Sequence, residues 1–394
     1  MKNRLFPILL MGLAALILLW ITGPAAVTDK EPAAGPSLSC TPNPVTPPPA
    51  SQTPSPPFTY EAQLEETPSG KLSYHLLKLD STNPLIEIKP VTAFATLFGY
   101  ETLSVITEKY EAMASVNGGF SYVNGLLGGL LYSDGRLKSF SGGRFPLLTI
   151  SGEGALLSDY TSTMQLLIGN ETLEVVSYNK YPEGEGIYVF TPDYGSRNRV
   201  DRRQLAVISE NGLVKDLLIS MESVAIPENG FLVTAIGKTF EKTLQDIVER
   251  GASIDIKWEV QASGKTLSPS QESFESAYEL GSWIIRDKKL VIGASDPWVG
   301  TMESRAPRTA VGILEDGLLA FFVVDGRQEG LSNGLTGREL GEKLLALGFT
   351  DAALLDGGAS SEMIVEGDIV NSPSAGRERK IPVAFVIRER TAVK

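Results

Sequence analysis

Residues 320–355 read AFFVVDGRQEGLSNGLTGRELGEKLLALGFTDAALL and give the strongest indication of the architecture. Phe321 to Val324 form an uninterrupted apolar run, which is typical of a strand buried on both faces. Thr336 to Leu347 place leucines on one helical face, and Thr336 with Glu339 has the spacing of a capping box. The apolar run Ala352 to Leu355 follows. The segment therefore predicts a strand, helix, strand unit, which usually forms a right-handed crossover in a buried sheet.

Outward from this unit, short apolar runs separated by turn residues indicate antiparallel strands. Leu72 to Leu79 and Leu85 to Val91 are predicted to pair across a break at Asn83-Pro84. Asn211-Gly212 predicts a second hairpin, and Lys238 to Arg250 has the apolar face of a further helix. The predicted fold class is α+β, with mixed, largely antiparallel sheets and flanking helices.

Composition excludes several functional classes. The chain has 394 residues, 42% of them hydrophobic, and a formal net charge of -12. Because nucleic-acid binding needs an excess of basic residues to neutralise phosphates, no nucleic-acid partner is predicted. The single cysteine, Cys40, excludes an internal disulfide framework and a cysteine-rich zinc site. With His75 as its only histidine and no EF-hand spacing, the chain is predicted to bind no metal and no other cofactor.

The N-terminal part is predicted to lie outside the folded domain. Lys2 and Arg4 precede an uncharged run from Leu5 to Gly23, so residues 1–27 are interpreted as a membrane anchor or a signal peptide. The length of the run favours an uncleaved anchor, and small residues after it leave a cleaved signal open. Residues 28–59 are rich in proline and serine and are predicted to be an extended linker. The folded domain is predicted at 60–390, on the extracytoplasmic side of the cell membrane, or secreted if the signal is cleaved.

Four segments combine glycine with charged or amide side chains, and each follows a predicted apolar strand. An acidic residue that leaves a buried strand into glycines is held by the sheet while its carboxylate faces a crevice. An Asp-Gly pair is also a common turn signal, so neither Asp325 nor Asp356 is assigned a function by its own sequence context. The glycines and hydroxyls after Asp356 are more specific, since they supply donors to an anion. The segments are NGGF at 117, RTAVG at 308, DGR at 325 and DGGASS at 356.

The order of these motifs resembles the phosphodiester glycosidase family. NGGF at 117, TPDYG at 191, RTAVG at 308, VVDGR at 323 and LLDGGASSEM at 354 are followed by Asn371, Pro373 and Arg377 to Arg379. The resemblance covers roughly Met113 to Ile387 and implies that 60–390 is a catalytic domain with this fold. The chain departs from the family's usual residues at Ser121, Ala359 and Glu362.

The resemblance implies a hydrolase that cleaves the sugar-phosphate bond of a glycosyl phosphodiester. A phosphomonoester is a good leaving group, so charge neutralisation matters more than protonation. Arginine can hold two phosphate oxygens and stays charged. We therefore expect Arg308 and Arg377 to clamp the phosphate. The predicted catalytic residues are Asp356, Asp325 and Arg308, and the predicted substrate-binding residues are Asn117, Gly118, Gly119, Arg327, Gly357, Gly358, Ser360, Ser361 and Arg377.

Two other functions remain open from the residues alone. A non-catalytic module that binds an envelope glycan would rely on exposed aromatic side chains, of which only Phe120 and Tyr122 lie near the motifs. A phosphoesterase that breaks the P-O bond generally assembles metal ions from histidine and aspartate, and one histidine counts against it. The predicted partners are a glycosyl-phosphate substrate, such as a cell-envelope polymer, and the membrane through the N-terminal helix.

Overall fold

Antiparallel strands dominate the chain between residues 57 and 390, the part described by this computed structural model. The predicted anchor or signal peptide at 1–27 lies outside the described residues, and so does the predicted linker as far as residue 56. The first strand begins at Phe58, slightly before the predicted domain boundary at residue 60. Within 57–390, no helix combines the length and the apolar character that crossing a membrane requires.

The described residues form short strands in several sheets, with three α-helices. The helices are α1 (Leu103–Lys109), α2 (Lys238–Ile247) and α3 (Gly337–Ala346). The strands are β1 (Phe58–Thr67), β2 (Gly70–Leu79), β3 (Ile86–Thr92), β4 (Ala114–Asn117), β5 (Leu131–Ser133), β6 (Arg136–Ser139), β7 (Leu147–Ser151), β8 (Gly154–Ser158), β9 (Tyr160–Ile168), β10 (Glu171–Glu174), β11 (Ser177–Tyr178), β12 (Gly186–Phe190), β13 (Gln204–Glu210), β14 (Leu213–Ser220), β15 (Gly230–Ile236), β16 (Ile254–Ala262), β17 (Lys265–Leu267), β18 (Ser276–Glu279), β19 (Trp283–Arg286), β20 (Lys289–Leu290), β21 (Ser295–Asp296), β22 (Gly300–Thr301), β23 (Arg308–Leu314), β24 (Leu319–Val324), β25 (Phe349–Leu354), β26 (Met363–Val365), β27 (Asp368–Ile369) and β28 (Val383–Glu389).

The predicted strand, helix, strand unit forms the centre of a seven-stranded sheet, which we call sheet A. Its order is β1-β2-β24-β23-β25-β19-β20. Strands β24 and β25 both pair antiparallel with β23, so they run parallel to each other with β23 between them. Helix α3 connects them. Thr336 accepts from the backbone N–H of Glu339 and the Glu339 carboxylate accepts from that of Thr336, which confirms the predicted capping box.

A second sheet, sheet B, packs against sheet A. Its order is β27-β26-β4-β28-β3. The two sheets share one apolar core, in which the rings of Phe321 and Phe385 lie 5.2 Å apart. Helix α3 covers the outer face of sheet A through Leu340 and Leu344, and α1 covers the outer face of sheet B through Ile106. The core fixes the strand ends that carry the candidate site.

The predicted pairing of residues 72–79 with 85–91 is wrong. Strand β2 pairs with β1 and β24 in sheet A, whereas β3 pairs with β28 in sheet B. The partner of β2 is the preceding segment, because the chain turns sharply between Thr67 and Gly70 and closes a hairpin. A turn at Asp80, whose carboxylate accepts from Thr82 N–H, then directs the chain to the other sheet.

Most of the remaining strands form three smaller sheets around a second core, and β21 and β22 form a separate two-stranded sheet. The orders of the three sheets are β6-β5-β18-β7-β8, β10-β9-β16-β17 and β11-β12-β15-β13-β14. The predicted hairpin at Asn211-Gly212 is confirmed between β13 and β14, and both turn residues have positive φ, at 51° and 75°. Since β18 and β19 come from the middle region and pair with β5, β7 and β25, that region belongs to the same compact unit. Antiparallel sheets with few helices agree with the predicted α+β class.

Candidate active site

Asn117 joins three segments of the site from the end of β4. Its side chain is 1% exposed, and its Nδ2 donates to the carbonyl of Asp356 at 2.7 Å. Its Oδ1 accepts from Thr309 Oγ1 at 2.9 Å and from the backbone N–H of Glu362 at 3.0 Å. Because every polar atom of the side chain is engaged inside the protein, Asn117 holds the loops in place.

The two glycines after Asn117 permit close contact between elements. A Cβ at Gly118 would lie 2.9 Å from the carbonyl oxygen of Val383, and one at Gly119 would lie 2.8 Å from the hydroxyl of Tyr278. The N–H of Gly119 also donates to that hydroxyl at 3.1 Å. Side chains at these positions would push the NGGF turn away from β28 and β18. Both glycines were predicted to bind substrate, but in the structure they allow these elements to pack closely and neither lines the cleft.

Asp356 lies at the end of β25, where its backbone N–H donates to the carbonyl of Gly118 at 3.0 Å. Burial raises the pKa of its carboxyl, while a hydrogen bond from Ser360, the charge of Arg379 and the N–H of Gly357 oppose that shift. A partly buried carboxyl with two donors and one nearby cation is suited to face a substrate, because it is oriented without being neutralised by a direct ion pair.

A cleft of about 570 Å³ opens in front of Asp356. Ser360 and Arg379 line it beside Asp356, which is the one carboxylate among the lining residues. The lining also includes four aromatic residues, Tyr100, Phe120, Tyr122 and Trp298, which we call the aromatic wall. The cleft therefore combines an acid, a guanidinium and flat apolar surfaces.

Trp298 is the centre of the aromatic wall. Its ring stacks on Phe120 with centroids 5.7 Å apart and planes at 4°, and it meets the edge of Tyr122 at 5.5 Å. The buried carboxylate of Asp296 accepts from the backbone N–H groups of Trp298 and Val299, both at 2.8 Å. This contact fixes the direction in which the indole leaves the backbone.

The predicted arginine clamp does not assemble at this cleft. Arg308 is 2% exposed, and its guanidinium donates to the carbonyls of Leu335 at 3.2 Å and Ser304 at 2.9 Å. Burial, and then the charge of Arg327, lower the pKa of Arg308. Arg377 is exposed and is absent from the cleft lining. Arg379, two positions further along the same segment, supplies the guanidinium instead.

Arg327 lies against the back of the glycine turn after Asp356. A Cβ at Gly358 would be 3.4 Å from its Nη1, and a Cβ at Gly357 would be 3.8 Å from Cδ of Arg308. The backbone of Arg327 has φ of 59°, which is uncommon for a residue with a side chain. The structure thus brings the predicted residues Arg308, Arg327, Gly357 and Gly358 together, behind the cleft.

Asp325 and Ser361 are buried away from the cleft. The carboxylate of Asp325 accepts from Ser73 Oγ at 3.0 Å, from Asn371 Nδ2 at 3.1 Å and from Ser372 N–H at 2.9 Å, and it faces His75 at 3.5 Å. The hydroxyl of Ser361 lies 3.1 Å from Thr309 Oγ1. The donors Ser73, Asn371 and Ser372 occupy the carboxylate oxygens of Asp325. Asp325 therefore anchors residues 371–372.

A pair of carboxyl groups lies beside the cleft. Glu362 is 1% exposed, and no donor from the described residues reaches either of its carboxyl oxygens. Burial, and then the neighbouring carboxyl of Glu378, raise the pKa of Glu362 to about 9. Glu378 itself accepts from the N–H and hydroxyl of Ser104, at 2.9 and 2.8 Å. This shift favours the protonated form of Glu362 at neutral pH, next to Glu378, the residue just before Arg379.

Sequence reasoning missed Trp298 and Tyr100 and did not separate Arg379 from Arg377. An Asp-Pro-Trp run is a turn signal that could have indicated an ordered tryptophan at 296–298. No sequence signal distinguishes two arginines two positions apart in a loop, because which of them faces the cleft depends on the packing of that loop. Among the described residues, no cluster of histidine, aspartate and glutamate has the arrangement of a metal site.

An acid, a guanidinium and an aromatic wall, gathered where two packed antiparallel sheets end, are typical of proteins that recognise sugars joined to an anionic group. Residues 201–388 match the family described as phosphodiester glycosidase, a family of hydrolases, and this confirms the resemblance given by the motifs. The match contains Asp356, Arg379 and Trp298 but begins after the NGGF turn and the other three aromatic residues of the cleft.

Similar proteins are distant. The chain is 35% identical over 106 residues to the SPbeta prophage-derived uncharacterized protein YomE of Bacillus subtilis strain 168, a match that covers 27% of this chain and 16% of that protein. A hypothetical protein from Synechocystis has a similar structure, with a TM-score of 0.72 at 17% identity over 84% of this chain and 62% of its own. A protein from Burkholderia pseudomallei K96243 has a TM-score of 0.68 at 22% identity, over 80% of this chain and 74% of its own. These two structures share the fold.

Proposed function

We propose that this protein is an extracytoplasmic glycoside hydrolase that cleaves the sugar-phosphate bond of a glycosyl phosphodiester. The observation that carries the proposal is the cleft in which Asp356 and Arg379 face an aromatic wall. The family match at 201–388 supports the same reaction class.

One carboxylate in the cleft suits this substrate better than an ordinary glycoside. Hydrolysis of an ordinary glycoside generally uses two carboxyl groups, one of which protonates the departing alkoxide. A phosphomonoester leaves as a stable anion, so a cation can replace that acid. Arg379 is positioned for this role because it lines the cleft and lies close enough to Asp356 to act on the pKa of its carboxyl.

In the proposed reaction, the bond between the anomeric carbon and the bridging oxygen breaks, and its electron pair leaves with the phosphate. The anomeric carbon becomes electron-poor and is stabilised by the ionised carboxylate of Asp356. Water supplies the new oxygen on the sugar and releases its proton to solvent. Trp298, stacked on the buried ring of Phe120, is assigned to contact the C–H face of the sugar ring.

Substitution of Asp356 by asparagine tests this role. In steady-state hydrolysis of a methyl glycosyl-1-phosphate diester by the full-length protein, we expect kcat to fall at least about 1,000-fold, since the group that stabilises the transition state is removed. Asp255→Asn, at an exposed position on β16, is the matched control and should retain activity. Near wild-type turnover by a correctly folded Asp356→Asn protein would remove Asp356 from this role.

The bond that breaks can be identified with oxygen-18 water. Label in the released sugar indicates C–O cleavage, as proposed, whereas label in the phosphate indicates a phosphoesterase that attacks phosphorus.

A non-catalytic glycan-binding module is the second candidate, and the aromatic wall favours it. Tyr100 and Trp298 add to Phe120 and Tyr122, so the aromatic surface is larger than the sequence indicated. Calorimetric titration with the same diester separates the two functions. Stable binding with no released product favours the module, and release of sugar and methyl phosphate favours the hydrolase.

The location and the natural substrate are also proposals. Lys2 and Arg4 before an uncharged apolar run support export with a membrane anchor or a signal peptide, and the linker would hold the domain away from the membrane. Envelope polymers with sugar-phosphate linkages are then the accessible substrates. Protease digestion of intact cells should remove the domain if it is anchored outside, and a domain protected until the cells are lysed would contradict this location.

A further inference from the structure

A second pocket, of about 460 Å³, lies next to the cleft and contains none of the predicted site residues. It is formed between the 122–126 loop and the segment 176–188. Tyr122 lines both the pocket and the cleft, so the two adjoin at this residue. A molecule longer than one sugar and one phosphate could therefore occupy both at once.

The turn at residues 122–125, which we call the ridge between the pocket and the cleft, is held in place by hydrogen bonds. The hydroxyl of Tyr100 donates to the carbonyls of Tyr122 and Val123, both at 2.9 Å. The N–H of Gly125 donates to the carbonyl of Tyr122 at 2.9 Å, which closes the turn. A ridge with these contacts is preorganised, so little ordering entropy opposes ligand binding.

The side of the pocket formed by residues 180–188 is also held in place by hydrogen bonds. Arg202 donates to the carbonyls of Pro182 at 3.2 Å and Gly184 at 3.0 Å. The N–H of Gly184 donates to the hydroxyl of Tyr188 at 3.3 Å. Tyr181 remains 51% exposed at the opening of the pocket, and an exposed aromatic ring on an ordered wall is a suitable surface for stacking on a sugar.

The charges that line the pocket indicate the kind of ligand. Lys180 is the one cation among the lining residues, and its ammonium donates to the carbonyl of Gly128. Burial lowers the pKa of Lys180 to about 8, so its ammonium loses a proton more readily than that of an exposed lysine. Glu183 and Glu185 also line the pocket. A second phosphate would meet two carboxylates and one engaged lysine, whereas a neutral sugar would meet tyrosine rings, amide and hydroxyl groups.

We propose that this pocket binds a neutral sugar unit of an extended substrate, whose neighbouring glycosyl phosphodiester occupies the cleft. The assignment rests on the proposed function, because that function places a sugar-phosphate linkage beside Tyr122. It makes a polymer or an oligosaccharide the natural substrate class, and it makes Tyr181 a residue that determines specificity for substrate length.

The test compares a methyl glycosyl-1-phosphate diester with two versions that carry one additional neutral disaccharide, on the sugar side or on the phosphate side. For wild-type protein, we expect the better extended substrate to have a kcat/KM about tenfold above that of the short one, since one stacking contact supplies about that factor. Tyr181→Ala should remove this gain and leave the short substrate unchanged. Met221→Ala, which changes an exposed apolar side chain elsewhere, should affect neither substrate.

Direct titration separates failure of the pocket from failure of the proposed function. Full-length Asp356→Asn protein is titrated with neutral tetrasaccharides of glucose, galactose and N-acetylglucosamine, with and without Tyr181→Ala. If wild-type protein hydrolyses no diester but a tetrasaccharide binds in a Tyr181-dependent manner, the proposed function fails and the pocket assignment stands. If no tetrasaccharide binds and no extension raises kcat/KM, or if Tyr181→Ala changes neither, the assignment is overturned. A substrate extended by a second phosphate instead of the neutral disaccharide serves as a charge control. A preference for this substrate would also overturn the assignment of the pocket to a neutral sugar.

Discussion

Replacing Glu362 with glutamine tests whether the buried carboxyl pair beside the cleft controls the pH dependence of stability. The substitution keeps nearly the same shape and removes the ionisable group. In the folded protein, burial and Glu378 raise the pKa of Glu362 from 4.5 to about 9. Between these values the folded state retains a proton that the unfolded chain has released.

The sign and size of the effect follow from proton linkage. Because the folded state binds more protons in this window, the free energy of unfolding falls as pH rises, by up to about 1.4 kcal/mol per pH unit. The loss between pH 5 and pH 8 is about 4 kcal/mol if one proton is involved throughout. Below the unfolded pKa the carboxyl is protonated in both states, and the slope disappears. Glu362→Gln should therefore show a flatter dependence across this window.

Urea denaturation followed by tryptophan fluorescence at pH 5, 6, 7 and 8 measures these free energies. Glu174→Gln, at an exposed position on β10, is the matched control and should retain the wild-type slope. Glu378→Gln should also flatten the slope, because it removes the repulsion that raises the pKa of Glu362. Equal slopes for wild-type protein and Glu362→Gln would refute the raised pKa of Glu362.

Three further substitutions test particular contacts. Arg379→Gln should lower kcat/KM for a glycosyl phosphodiester about 100-fold or more, because the cation of the cleft is removed. Arg377→Gln, two positions away and exposed, should change kcat/KM less than about threefold. Equal effects of the two substitutions would contradict the placement of Arg379 in the cleft. Gly119→Ala should cost about 1–3 kcal/mol in urea denaturation, because its Cβ would lie 2.8 Å from the hydroxyl of Tyr278, and unchanged stability would show that the turn can move. Thr336→Ala should cost about 1 kcal/mol by loss of the α3 cap, while Thr336→Ser should retain most of it, and an equal loss in both would point to the methyl group instead of the hydroxyl.

Elements defined by local patterns were predictable from the sequence. The α3 capping box, the Asn211-Gly212 hairpin and the strands on either side of α3 depend on residues within a few positions of each other. The pairing of residues 72–79 was not predictable in this way. Residues 72–79 could pair with either the preceding or the following segment, and the local composition of the two segments does not distinguish between them.

The candidate site was predictable in its general position, and its internal assignments were not. The motifs correctly marked the strand ends at Asn117, Asp325 and Asp356, which the two sheets bring to one region. Whether an acid at such an end faces solvent or the interior depends on its neighbours. Asp325 meets donors from distant parts of the chain and is buried, whereas Asp356 opens into the cleft.

The sequence by itself determined where many strands, helices and glycine turns occur, because these features depend on interactions between near neighbours, and its motifs indicated the family that residues 201–388 match. Only the tertiary structure decided that Arg379 faces Asp356, that Trp298 completes the aromatic wall and that Glu362 meets Glu378. Those contacts join segments from different sheets and loops. They form because the packing of the two sheets fixes the distances between side chains that are far apart in the chain.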